Sequence, residues 1–206
     1  MIKAILCDLD GVLVDATSWH YLALNRALKE ICGFEINPED HASTFNGLTT
    51  KSKNEILLKQ GRITESQGKR IWKLKQEYTV DTIKELAKPD LIKIEFHKLA
   101  ASLNLKTACI TNSIRLTASL MLEGTGQLPY LHLLISNQDI SNPKPDPEGY
   151  LRAMELFGLS PEECLILEDS AIGLQAATSA GGKVWEIKHP SEVNAENLLI
   201  KLKLIN

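Results

Sequence analysis

The sequence has no long uninterrupted apolar run, no closely paired cysteines and no excess of basic charge. No apolar stretch approaches the roughly 20 residues needed to cross a bilayer, so no membrane partner is expected. The opening "MIKAILC" is too short for the apolar core of a secretory signal and runs directly into Asp8, which predicts a cytoplasmic protein. The four cysteines include no CxxC pair. Cys7, Cys109 and Cys164 each lie in or beside an apolar run ("AILC", "TACI", "CLIL"), the pattern of buried thiols in a reducing compartment. The five histidines show no metal-ligand spacing. A formal charge of -3 offers no general basic field, so nucleic acid is not expected as a partner.

What is present is the material of a soluble enzyme-sized domain. A chain of 206 residues with 44% hydrophobic residues is long enough to bury a core and to carry a smaller inserted subdomain. Short apolar runs recur at "KAILC", "KTACI", "HLLIS", "ECLIL" and "KVWEI". None alternates strictly, which suits strands covered on both faces. Helical patterns separate the later runs: "IRLTASLMLEG", "DPEGYLRAMELFGL" and "SAIGLQAATSAGG". This rhythm predicts an α/β fold with a parallel, Rossmann-like sheet. Between the first two strands the rhythm breaks. "SWHYLALNRALKEI", "TKSKNEILLKQ" and "ESQGKRIWKLKQEYTVDTIKELA" all fit the helical period, where one crossover helix would suffice. The expected organisation is a core of residues 1–15 and 87–206 with a helical cap, residues 16–86, inserted into it.

The strand ends carry the chemistry. Asp8 and Asp10 follow the first strand and point to one side if the chain stays extended, while Gly11 permits a sharp exit. "TNS" (Thr111 to Ser113) follows the second strand, the loop "NPKPDP" with Lys144 the third, and "EDS" (Glu168 to Ser170) the fourth. In open parallel sheets ligands bind beyond the carboxyl ends of the strands. Each signal alone reads as a cap or turn, but four in order converge on one rim. Clustered carboxylates without His or Cys favour a hard cation, Mg²⁺ before Zn²⁺. Lys144 and Thr111 suit phosphate oxygens, and an aspartate is a nucleophile in aspartyl-phosphate enzymes. Phosphoryl transfer is the leading expectation.

"DLDGVLVD", "ITNS", Lys144 in "NPKPDP" and "LEDSAIGLQAATSAG" together resemble the four motifs of the haloacid-dehalogenase-like hydrolases. The branch they match is that of β-phosphoglucomutase and phosphoglycolate phosphatase, with a small helical cap. The resemblance implies that Asp8 is the nucleophile and Asp10 the general acid and base. It implies that Mg²⁺ is held by Asp8, the Asp10 backbone carbonyl and Asp169, with Glu168 a ligand or a partner behind the ligands. Thr111 and Lys144 would bind the transferring group, assisted by the Asn112 amide. The dehalogenases lack an aspartate at the Asp10 position, so its presence favours phosphoryl chemistry over carbon–halogen cleavage. Two departures stand out: Cys7 replaces the usual phenylalanine, and the segment before "ITN" lacks the usual Pro-Gly turn.

Substrate choice is expected to lie in the cap. His20 could meet substrate, contact Asp10, or simply pack near Trp19. The loop "FNGLTTKSK" offers Gly47 and Thr50, and Lys75 resembles a cap lysine that contacts substrate in the mutases, although a basic helix face is usually solvated. The mutases can carry an arginine at the Thr50 position, which tilts the reading away from a mutase. The expected function is a Mg²⁺-dependent phosphatase of a small phosphorylated metabolite such as a sugar phosphate, working as a monomer or weak dimer. A phosphomutase and a non-catalytic binding protein of the same fold are the alternatives.

Overall fold

The computed structural model describes residues 1–205. The five apolar runs become β1 (Ala4–Cys7), β2 (Lys106–Ile110), β3 (Leu133–Ile135), β4 (Cys164–Glu168) and β5 (Lys183–Glu186). They form one parallel sheet in the order β3-β2-β1-β4-β5, with Ala4 of β1 level with Lys106 and Cys164. The helices are α1 (Thr17–Cys32), a short α2 (Pro38–Asp40), α3 (Thr50–Lys59), α4 (Glu65–Leu86), α5 (Leu91–Ser102), α6 (Arg115–Gly124), α7 (Glu148–Phe157), α8 (Ala171–Ala180) and α9 (Ala195–Ile205). A single wide helical turn, His41–Phe45, follows α2. No helix among the described residues is long and apolar enough to cross a membrane.

The unbroken apolar character of the strands is explained by their two covered faces. Ile5, Cys7, Cys109, Leu165 and Leu167 pack on one side with Phe96 of α5, Met121 of α6 and Leu198 of α9. Ala4, Leu6, Ala108, Ile110 and Ile166 pack on the other with Tyr150 and Met154 of α7 and Ala176 of α8. Cys7, Cys109 and Cys164 are free and buried within these layers. The strand order reverses around β1, so the carboxyl ends of β1 and β4 flank the crevice where such sheets hold ligands.

A third hydrophobic cluster, Leu24, Leu28, Ile36, Phe45, Leu57 and Ile71 among others, belongs wholly to the helical stretch between β1 and β2. Helix α4 links it to the sheet: Ile71 lies in this cluster, whereas Ile83 joins Phe96 and Met121 in the first. The chain returns to the core through "KPD" rather than Pro-Gly. Asp90 accepts from the backbone N–H groups of Ile92 and Lys93 and so caps α5, while its own N–H donates to the Thr125 carbonyl. Helices α5 and α9 carry no chemistry-bearing motif, and the sequence reading did not single them out.

Two buried histidines make the fold acid-sensitive. His97, 1% exposed, hydrogen-bonds Gln127, whose side-chain amide donates to the Leu13 carbonyl. Burial pushes His97 down to about 4, and burial followed by the Lys53 charge does the same to His41. Unfolding restores ordinary values near 6.5, so the unfolded chain binds more protons between these limits. The contribution of these two histidines to stability is therefore full above about pH 6.5 and falls as pH drops toward 4, by about 1–3 kcal/mol per histidine. Urea unfolding across this range measures the loss, and His97→Gln is expected to flatten part of the slope.

Candidate active site

The end of β1 delivers Asp8 into the crevice, anchored by its N–H to the Leu167 carbonyl of β4. The strand ends at Cys7 and the chain turns at Leu9, which packs in the core and whose carbonyl accepts from the N–H groups of Val12, Leu13 and Val14. The extended run expected from the sequence is therefore absent; Asp8 and Asp10 nonetheless border the same crevice. Gly11 then turns with φ +89°, and a side chain there is excluded twice over. Its Cβ would stand 2.1 Å from Asp169 Oδ2. The glycine thus makes room for a carboxylate delivered from the end of β4.

Lys144 holds this group together. Its ammonium donates to Asp8 Oδ1 (2.6 Å), Glu168 Oε1 (2.5 Å) and the Ile110 carbonyl at the end of β2 (2.7 Å). All three N–H bonds are engaged, so Lys144 reaches a phosphoryl oxygen only by sharing a proton now directed at protein. Burial alone would lower the lysine, but Asp8 and Glu168 outweigh it and raise it above its ordinary value. The Tyr150 hydroxyl also donates to Glu168 Oε1. Gly173 clears the space around the other oxygen, since a Cβ there would lie 2.0 Å from Glu168 Oε2.

The carboxylates outnumber the cation. Oxygens of Asp8, Glu168 and Asp169 lie within 4.8 Å of one another, against the single ammonium of Lys144. Burial is the largest influence on Asp8 and raises its carboxyl, with Lys144 pulling the other way. Burial, then the charges of Glu168 and Asp10, push Asp169 up to about 7. Glu168 Oε2 and Asp169 Oδ1 are buried with no hydrogen-bond partner. Orphaned carboxylate oxygens, hard donors and two uncompensated negative charges together fit a divalent cation such as Mg²⁺.

Asp10 sits in a second network. Its Oδ1 accepts from His20 Nε2 (2.9 Å) and its Oδ2 from the Ser113 hydroxyl (3.0 Å). Lys75 Nζ lies 3.0 Å from His20 Nδ1, so the network assigns the proton of His20 to Nε2. Burial raises Asp10, but the charge and hydrogen bond of His20, with Ser113, win and leave it below its ordinary value. The same burial, with Lys75 beside it, lowers His20.

Asn112 joins the two layers of the molecule. Its side-chain amide donates to the carbonyls of Gly47 and Lys144, while its Oδ1 accepts from the Lys144 N–H (3.0 Å). Gly47 thereby lies across the mouth of the site. Beneath it is a small cavity of about 30 Å³ bounded by Asp8, Asp10, Thr111, Asn112, Lys144 and Asp169. That holds about two waters. Beside it lies a larger cavity of about 490 Å³ reaching under α3, lined among others by Asp10, His20, Thr50, Lys75 and Asn112.

The residues expected from the sequence thus fall into two adjoining groups. Asp8, Thr111, Lys144, Glu168 and Asp169 gather at the strand ends, and His20, Thr50 and Lys75 line the larger cavity. Asp10, Gly47 and Asn112 border both cavities. Sequence reasoning missed Ser113 as a partner of Asp10, although its place in "TNS" was a signal. Tyr150, Lys53 and His41 gave none, being an apolar helix position, one lysine among several on a helix, and an isolated histidine.

The sequence pattern of the family described as haloacid dehalogenase-like hydrolase matches residues 5–187. A phosphorylated carbohydrates phosphatase of Thermotoga maritima is 29% identical over 192 residues, covering 91% of this chain and 86% of that protein. A β-phosphoglucomutase of Bacillus subtilis is 26% identical over 187 residues, 87% of this chain and 80% of its own. A solved β-phosphoglucomutase structure from Clostridium difficile has a TM-score of 0.82 at 22% identity, covering 99% of this chain and 98% of that one. At that identity the likeness speaks to fold.

Removing Lys144 tests the charge balance. Lys144→Met leaves Asp8 and Glu168 buried without a cation and is expected to lower unfolding stability by about 3–5 kcal/mol at neutral pH. Urea denaturation measures the loss. Added Mg²⁺ is expected to raise the Tm of the wild type in a calorimetric scan, and excess chelator to reverse the rise.

Proposed function

Because the chain belongs to the haloacid dehalogenase-like hydrolases, and its relatives include phosphatases and phosphomutases, we propose that it is a Mg²⁺-dependent phosphatase. Its substrate in this reading is a small phosphorylated metabolite of the sugar-phosphate class, hydrolysed in the cytoplasm by a monomer or weak dimer. Residues 1–15 and 87–206 form the catalytic core and residues 16–86 the cap. The observation that carries this reading is the convergence of Asp8, Glu168 and Asp169 around Lys144, with two carboxylate oxygens left unpartnered.

Asp8, Asp169 and the Asp10 backbone carbonyl would hold the metal, with Glu168 beside them. The ion supplies positive charge that lets a carboxylate approach an anionic phosphoryl group. Asp8 attacks phosphorus; its carboxylate oxygen forms a P–O bond as the ester P–O bond breaks. Asp10, a carboxylate between His20 and Ser113 at rest, takes up a proton from solvent as substrate enters and gives it to the leaving oxygen. A water then attacks phosphorus, Asp10 takes its proton, and the Asp8–phosphorus bond breaks to release inorganic phosphate. Thr111 and Lys144 hold phosphoryl oxygens, and His20 orients Asp10.

A second reading, a phosphomutase, is favoured by one observation: Lys75, His20 and Asp10 stand in a hydrogen-bonded line, an arrangement that resembles the mutases. In that case the phosphoaspartate returns its group to another hydroxyl of the substrate. Incubation with hexose 1-phosphates, Mg²⁺ and a bisphosphate primer separates the two. Free phosphate is expected; isomer without free phosphate would reverse the choice. Asp8→Asn is expected to abolish turnover with the fold intact by circular dichroism, and EDTA to suppress the wild type until Mg²⁺ is restored.

A further inference from the structure

The turn that carries Asp10 satisfies most of its own backbone. The Leu9 carbonyl accepts from the N–H groups of Val12, Leu13 and Val14, and the Val14 carbonyl accepts from those of Gly11 and Ala16. Asp10 and Val14 are bridged side by side. The Leu13 carbonyl is left over, on a fully buried residue where an unpaired acceptor is costly. Among the described residues, the donor that meets it is Gln127 Nε2 at 2.9 Å, far along the chain in the loop after α6.

Gln127 is a firmly held donor. Its side chain is fully buried and makes three hydrogen bonds. Nε2 donates to the Leu13 carbonyl and to Thr125 Oγ1, and Oε1 accepts from His97 Nε2 (3.1 Å). Because a carbonyl can only accept, the Leu13 bond fixes which end of the amide is which, and with it the tautomer of His97. Each partner is held in turn. The Thr125 hydroxyl donates to the Met121 carbonyl of α6, and the Thr125 carbonyl accepts from the Asp90 N–H. His97 stacks on Tyr130 with the rings 4° from parallel, and the Gln127 N–H donates to the Leu122 carbonyl. A fully paired polar chain inside an apolar layer specifies one arrangement of its members.

We propose that Gln127 is a positioning residue for proton transfer: by pinning the Leu13 carbonyl it fixes the turn from Leu9 to Val14 and holds Asp10 in line with the leaving oxygen. This deepens the phosphatase reading above and rests on it for the role of Asp10. Gln127 borders neither cavity, so it acts through the turn and not on the substrate. His20 and Ser113 aim the Asp10 carboxylate, whereas Gln127 sets where its backbone stands. A shift of Leu13 would pass to Asp10 through the Asp10–Val14 bridge. Misplacement by about 1 Å from a distant change can cost about 100-fold in rate.

Two esters with different leaving groups read the position of Asp10. The alkoxide leaving from glucose 6-phosphate needs a proton, whereas the nitrophenolate leaving from p-nitrophenyl phosphate does not. Gln127→Met keeps the side-chain volume and removes the donor. With Mg²⁺ it is expected to lower kcat/KM by about 10- to 100-fold for glucose 6-phosphate and by less than about 3-fold for p-nitrophenyl phosphate. Equal losses on both esters, the mark of a purely structural role, overturn the proposal. In an Asp10→Asn background Gln127→Met is expected to cost less than about 2-fold more on glucose 6-phosphate, and an undiminished further loss also overturns it. Hydrogen exchange of the full chain needs no turnover. The N–H groups of Val12, Leu13 and Val14 are expected to exchange at least about 10-fold faster in Gln127→Met, with those of β2 unchanged. If the wild type fails to hydrolyse one of the esters, exchange decides: acceleration confined to this turn upholds the pinning, and unchanged exchange overturns it. Failure on both esters counts against the phosphatase reading alone.

Discussion

Lys144 makes the rest of the site possible. A single ammonium reaches a carbonyl at the end of β2, a carboxylate after β1 and another at the end of β4, so three neighbouring strands are tied at one point. Without it, Asp8 and Glu168 would face each other in a buried crevice where like charges repel strongly. The tie is made at the strand order's reversal, where the backbone already leaves a cleft. Gly11 and Gly173 complete the arrangement by leaving space that a β-carbon would fill with Asp169 and Glu168 respectively. The crevice therefore gathers negative charge in excess of its one cation.

The helical layer has the opposite imbalance. Around the larger cavity, Lys53 and Lys75 are buried with few acids, and the start of a helix adds to the positive potential. A chain with a formal charge of -3 thus separates its charges locally, acid at the strand ends and base under the helices. Asp10 stands at the junction and takes hydrogen bonds from both sides, Ser113 from the core and His20 from α1. The two layers meet at a few residues, Asp10, Gly47 and Asn112 among them.

Much of this was legible in the sequence, for identifiable reasons. Strands buried on both faces read as continuous apolar runs, and Asp8, Asp10, Thr111, Glu168 and Asp169 each stand within three residues of a strand end. Local signals of that kind survive in a one-dimensional string. Lys53 and Tyr150 did not survive, because their significance lies in burial and in partners far along the chain. Tyr150 meets Glu168 across 18 residues, and nothing near either announces it. Helix α5 was obscured because "KPD" replaces the expected turn, and only the Asp90 side chain reveals it as a cap. The boundary after Leu86 is equally blurred, since Ile83 already belongs to the core layer.

That last detail gives α4 a mechanical meaning. The helix is one continuous rod of 22 residues, clamped in the sheet's hydrophobic layer at Ile83 and in the helical cluster at Ile71. Lys75 lies eight residues before Ile83, about 12 Å along the axis. A tilt of about 10° at the Ile83 end would therefore sweep Lys75 through about 2 Å. That displacement is comparable to the 3.0 Å span between Lys75 and His20. Such a tilt would carry the Lys75 ammonium to or from His20, and through His20 would act on Asp10.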